Sequence, residues 1–351
     1  MTVYIAIIIF ELLAFLLVSN TASKNSKGLL KVLMFVLFAV SAFRSTTVGG
    51  DLERYLPTFY ETANCSFRNV FLGLDGWHEW GFSVYERLVS IISTTDRAFI
   101  IATSFLFIVI SYKALKENST NRILSLLLFT CLMYFGSFNI IRASISVSIG
   151  LCLAKSIEKR HFVQFCIGVL CASLIQKTSV ALLPLYFLWN VKYSPKYIII
   201  LLGSSIILTF LLTGSGVVDF LSSYFQYQIK DEGEGEMWAD KASGLTNMAI
   251  FLLISTLVLM RSYKGVRDKR MEFYIYIMAI ATCLQCFSSV FILMNRLSLF
   301  YYSYLIFIVP YVIQKTSKKW FLEAFFLFAI IMLAVMGFVK DVHEIIPYKI
   351  F

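Results

Sequence analysis

Arg44, Gly49, Gly50, Asp51 and Tyr55 lie in one short stretch, FRSTTVGGDLERY, directly after a run of apolar residues. Together these groups can hold an anion and move a proton. Arginine presents a planar fork of donors suited to phosphate or carboxylate. Paired glycines allow a turn in which backbone approaches a ligand closely, and a carboxylate can accept a proton from an attacking hydroxyl. Similar groups recur in three other segments. FNIIRASISVSIG places Asn139 and Arg142 three residues apart, on one face of a helix entrance. SLIQKTSVALLPLY puts Lys177 at a turn, and LMNRLSLFYYSYLIFIVPY puts Asn295 and Arg296 at what reads as a tight hairpin, with Tyr301 and Tyr304 further inward.

The elements that must hold these residues follow from composition. The chain of 351 residues is 59% hydrophobic and 15% charged, with a mean hydropathy of +0.78. Ordinary soluble domains are about 45–50% apolar and about 25% charged. Several windows of roughly 17–20 residues are almost free of charge, long enough to cross a bilayer as helices. Membrane barrels would instead show short alternating strands. The expected fold class is all-α: a polytopic integral membrane protein, one domain over 1–351, with about twelve spans. These are expected near 3–19, 29–43, 97–112, 123–138, 140–154, 162–176, 178–190, 197–213, 245–260, 272–294, 297–313 and 320–339. Two longer loops, 44–96 and 214–244, separate some of them. In the first, Phe82, Tyr85, Leu88, Val89 and Ile92 follow a helical rhythm that predicts an interfacial helix with its aromatic face in lipid. The second contains VVDFLSSYFQYQ, including Tyr224, and predicts another surface helix.

Charge sets the orientation. The net charge of +10 does not point to nucleic acid, because most basic residues cluster in short loops between apolar runs. Those loops carry Lys24 to Lys31, Lys113 to Arg122, Lys155 to Arg160, Lys192 to Lys196, Arg261 to Arg270 and Lys315 to Lys319. The positive-inside rule makes that set cytoplasmic and places both termini outside. The opposite side, the periplasm for a bacterial inner membrane, is richer in arginine: Arg44, Arg54, Arg68, Arg87, Arg97, Arg142 and Arg296. Any one of these cations alone reads as snorkelling to headgroups. Cations on several outer turns predict an outward cavity lined by Arg44, Arg142, Lys177 and Arg296.

Other polar residues invite two readings each. Glu11 inside the first span is either functional or reaches the interface from near a helix end, and the second is favoured. Asp231, Glu232, Glu234 and Glu236 are either a cation loop or a solvated stretch, and they lack the EF-hand spacing. His78, beside Glu79, is either a base or part of an interfacial aromatic belt. Cys283 and Cys286 form a CxxC without histidine or acidic neighbours, which predicts core packing.

The outer segments resemble the EpsG-like branch of Wzy-type O-antigen and exopolysaccharide repeat-unit polymerases. In that family a span ends in arginine, followed by Gly-x-Asp and tyrosine, similar to Arg44, Gly49, Asp51 and Tyr55 here. Asparagine and arginine opening a small-residue helix resemble Asn139, Arg142, Ala143 and Ser144. A histidine–serine element resembles the segment from Ser179 to Pro184, but Lys177 or a neighbour stands where histidine would be. A late arginine and tyrosine resemble Arg296 and Tyr301. The resemblance implies a GT-C-like glycosyltransferase architecture. It also implies transfer of a growing glycan from undecaprenyl diphosphate to the terminal sugar of a new undecaprenyl-diphosphate-linked repeat unit, on the periplasmic face. Asp51, Arg44, Arg142 and Arg296 are the expected catalytic residues. Tyr55, Asn139, Lys177, Tyr224, Asn295 and Tyr301 are the expected substrate contacts. The lipid diphosphate carries its own activation, so no cofactor and no metal are expected. The expected partners are these lipid-linked oligosaccharides, membrane lipids, and a chain-length regulator and flippase of the same pathway, with no nucleic acid. Alternatives are an O-antigen ligase-like or other lipid-linked glycosyltransferase, a flippase or transporter, and a structural partner of an assembly complex.

Overall fold

The computed structural model describes residues 1–18, 26–73, 79–214, 252, 268–288, 292–315, 320–341 and 344–350. His78, Tyr224, the acidic stretch at 231–236 and nearly all of the spans and loop expected over 215–260 lie outside the described residues.

Among the described residues the regular structure is helical. In chain order the helices are α1 (Thr2–Val18), α2 (Lys27–Ala42), α3 (Leu52–Asn64), α4 (Phe67–Phe71), α5 (Trp80–Ile92), α6 (Asp96–Asn118), α7 (Arg122–Phe129) and α8 (Ile141–Cys152). They continue with α9 (Ala154–Glu158), α10 (Phe162–Ile175), α11 (Leu183–Leu188), α12 (Pro195–Gly214), α13 (Lys269–Phe287), α14 (Ile292–Tyr302), α15 (Leu305–Lys315) and α16 (Trp320–Val339). Side-chain caps set several starts. Ser26 accepts from the Leu29 amide, Thr95 from Ala98, Asn121 from Leu124 and Asp268 from Met271. Each satisfies a backbone donor that the helix itself leaves open.

Three stretches, Asp96–Asn118, Pro195–Leu212 and Met294–Lys315, are long and apolar enough to cross a membrane. Thr2–Val18 and Phe162–Ile175 are among the shorter apolar helices. A helical membrane protein follows from this; a count of about twelve spans does not. The span expected over 123–138 is interrupted, since α7 runs into a π turn, Thr130–Tyr134, and then a 3-10 turn, Gly136–Phe138.

The chain divides into two compact units, Met1–Leu183 with Leu305–Phe351, and Pro184–Tyr304. In the first, α8 packs against both α6 and α10, α2 against α6, and α1 and α15 against α7. Small residues make α8 fit. Ser148 and Ser111 share a 2.9 Å hydrogen bond, Ser146 donates to the Ala172 carbonyl at 3.0 Å, and Gly150 leaves room for Leu182. Where lipid tails supply no hydrophobic drive between helices, close approach and hydrogen bonds of this kind hold them together. Glu11 is buried rather than interfacial: Thr130 Oγ1 donates to its Oε1 at 3.0 Å. The helix expected to lie in the interface forms as α5, but its aromatic face points the other way. Phe82 and Val89 are buried, whereas Leu88, Ile91 and Ile92 are exposed. Packing of α5 against α3, α6 and α10 claims the aromatic side.

In the second unit α13 packs against α12 and α14. Gln285 links the last pair: Ser298 Oγ donates to its Oε1 at 2.9 Å, and its Nε2 donates to Ser288 Oγ at 2.9 Å. Cys283 and Cys286 are free thiols buried in α13, as their core reading predicted.

Candidate active site

The glycine pair forms the turn that leads into α3. Gly49 has φ +102°, and a methyl group there would run into the Phe138 carbonyl; one at Gly50 would meet the Glu344 carboxylate. Only glycine fits both the left-handed backbone and the close approach. The turn is held from two sides. The Asp51 amide donates to Asn139 Oδ1 at 2.7 Å. From the other side, segment 344–350 crosses it: the Gly49 amide donates to the Glu344 carbonyl at 3.0 Å and the Ser45 amide to the Lys349 carbonyl at 2.8 Å. Asn139 thus joins the arginine–glycine–aspartate segment to the asparagine–arginine segment, two motifs that are distant in sequence.

One turn along, Arg142 enters the same face from α8. Its Nε donates to the Tyr55 hydroxyl at 3.2 Å, and its Nη1 forms an ion pair with Glu79. The guanidinium carbon lies 5.7 Å from the Tyr55 ring centre and 6.0 Å from that of Phe82. Glu79 also accepts the Lys177 amide at 3.1 Å. Lys177 therefore joins the cluster by its backbone, while its side chain is exposed. Tyr55 is buried between Phe82 and Phe99, with ring centres 5.9 and 6.2 Å away. Burial pushes its phenol pKa up against the opposing pull of Arg142, so it is protonated at neutral pH.

A polar cavity of about 180 Å³ opens beside the turn, lined by Gly50, Asp51, Glu53, Arg54, Asn139 and Glu344. Asp51 is half-buried at its edge. Arg44 does not line it. That side chain is only 2% exposed; its Nη1 donates to the Ser41 carbonyl at 2.7 Å and to Ser104 Oγ at 3.2 Å. Its guanidinium carbon stands 4.7 Å from the Phe138 ring centre. Arg44 is turned inward against Ser41, Ser104 and Phe138, whereas the expected phosphate contact would be open to a ligand.

Asn295 and Arg296 are exposed, and both lie within α14 rather than at a tight turn between helices. Tyr301 is buried, 4% exposed, near the end of that helix. Tyr224 lies outside the described residues. No group of three or more His, Cys, Asp or Glu side chains is placed to hold a metal among the described residues.

Two carboxylates of the cluster were not picked out by the sequence. Glu79 follows His78 in sequence, but its partners, Arg142 and the Lys177 amide, are far away along the chain. Glu344 lies in a segment without any motif, and only the crossing of 344–350 over the glycine turn brings it to the cavity.

No curated protein and no solved structure matches the chain. A family model does, over residues 27–350, which includes the glycine turn, the Asn139–Arg142 entrance, α14 and the crossing segment. The chain belongs to the EpsG family.

Proposed function

We propose that this protein is a polysaccharide polymerase of the bacterial inner membrane. It transfers a growing glycan from undecaprenyl diphosphate to the terminal sugar of a new lipid-linked repeat unit, on the periplasmic face. Family membership supports a polysaccharide-related glycosyltransferase. The observation that carries the finer proposal is the Asp51–Asn139 bond at the edge of a polar, sugar-sized cavity, three residues before the arginine of α8.

In the transfer, the bond from the anomeric carbon to the diphosphate breaks and charge accumulates on phosphate oxygens. Arg142, oriented by the Tyr55 hydroxyl, is proposed to stabilise that charge. Removing one preorganised donor of this kind raises a barrier by about 3–4 kcal/mol. Asp51 is proposed to accept the proton of the attacking hydroxyl. Lys177 and Arg296 are proposed as further phosphate contacts and Asn295 as a substrate contact, supported by the exposure of each. Arg44 is proposed to act indirectly, by holding the turn that presents Asp51.

The test is a gel of surface polysaccharide from a strain lacking the gene. Loss of a polymerase leaves core carrying a single repeat, loss of a flippase or ligase leaves core carrying none, and complementation restores the ladder. A ladder of unchanged length and abundance in the deletion strain would overturn the proposal. Arg142→Ala and Arg296→Ala should each abolish the ladder while the protein persists in the membrane.

A further inference from the structure

The Arg142 cluster contains an anion already. Two donors from different elements, Arg142 Nη1 at the start of α8 and the Lys177 amide after α10, converge on the two oxygens of one carboxylate, that of Glu79. Its side chain is 12% exposed and that of Arg142 24%, so the pair is shielded but reachable from outside. The Arg142 guanidinium is held in plane by the Tyr55 hydroxyl and lies against the Tyr55 and Phe82 rings. A guanidinium fork plus a backbone N–H is the donor set that binds a phosphate oxygen pair.

We propose that Glu79 is a resident anion in a phosphate subsite, and that one phosphate of the donor diphosphate displaces it from Arg142 and the Lys177 amide. The proposal rests on the polymerase reading for the identity of the diphosphate, but the subsite itself stands on the geometry. Glu79 then determines specificity: it keeps Arg142 neutralised until a group of higher charge arrives. A singly charged carboxylate or sulfonate gains nothing over the resident one, whereas a diphosphate does. When displaced, Glu79 leaves as an intact carboxylate, and no bond to it is made or broken.

The alternative is that Glu79 only positions Arg142. The two roles predict opposite signs. Binding of inorganic pyrophosphate to the full-length protein in detergent is measured by titration calorimetry for wild type, Glu79→Gln and Glu79→Asp. Glu79→Gln keeps the shape and an acceptor for the Lys177 amide but removes the competing charge; its Kd should fall about tenfold. Glu79→Asp keeps the charge on a shorter arm that cannot span both donors, and its Kd should fall by about threefold. Adding Arg142→Ala to Glu79→Gln should abolish the gain. Equal or weaker pyrophosphate binding in folded Glu79→Gln overturns the proposal; if that variant fails to fold, the same result in Glu79→Asp does so. Ladder length in the complemented deletion strain separates the two levels. A restored ladder with no tightening removes the subsite alone. Tightening without any effect of the gene on the ladder removes the polymerase and leaves the subsite.

Discussion

Gly49 and Arg44 show how little freedom the site leaves to single residues. At Gly49, a positive φ and the nearby Phe138 carbonyl act together. Gly49→Ala should destabilise the protein by about 1–3 kcal/mol, seen as a lower Tm in detergent. Gly203, inside α12 with open space around it, is the control. There alanine should be neutral or stabilising by up to about 1 kcal/mol. The two arginines should separate as well. Arg44→Lys removes a buried fork bonded to Ser41 and Ser104 and should lower Tm and protein level. Arg142→Lys should leave the protein level unchanged and shorten the ladder, because its neighbours tolerate a cation but only the fork reaches Tyr55 and Glu79 together. The types of these residues were legible in the sequence; which arginine faces a ligand and which faces the core was not. Both follow apolar runs or open helices, and burial depends on what packs over them.

Among elements, segment 344–350 and α8 carry the most consequence. The segment crosses the glycine turn and is fixed by the Tyr4 hydroxyl donating to the Ile345 carbonyl at 2.7 Å and the Tyr348 hydroxyl donating to the Val40 carbonyl at 3.0 Å. Each such bond contributes about 1 kcal/mol. Deleting the segment should therefore lower Tm and abolish the ladder, whereas Tyr348→Phe should lower Tm slightly with the ladder kept. For α8, Gly150→Val should press on Leu182 and destabilise by about 1–3 kcal/mol, measured by thermal denaturation. The small-residue pattern of α8 was visible in RASISVSIG. The crossing segment was not, since its partners at Tyr4, Val40, Ser45 and Gly49 lie at the other end of the chain, beyond the reach of any local pattern. The orientation of α5 was also hidden: its apolar residues cover more than one face, and the periodicity shows a helix without showing which face α3 and α10 will cover.

For the molecule as a whole, apolar content predicts residence in the bilayer. The protein should remain in the membrane pellet after alkaline carbonate and be released only by detergent; release by carbonate would contradict an integral protein. Composition determined the helical membrane class, because long uncharged windows can satisfy their backbone in lipid only as helices. Local spacing determined that Asn139 and Arg142 share a helix entrance and that Gly49 and Gly50 form a turn. Tertiary structure decided the rest. It joined Asp51 to Asn139, gave Arg142 its partners Tyr55 and Glu79, turned Arg44 inward and drew segment 344–350 over the turn. The physical reason is the reach of each kind of information. Periodicity and turn chemistry act over a few residues, whereas a charge finds its partner through folding that brings together residues far apart along the chain.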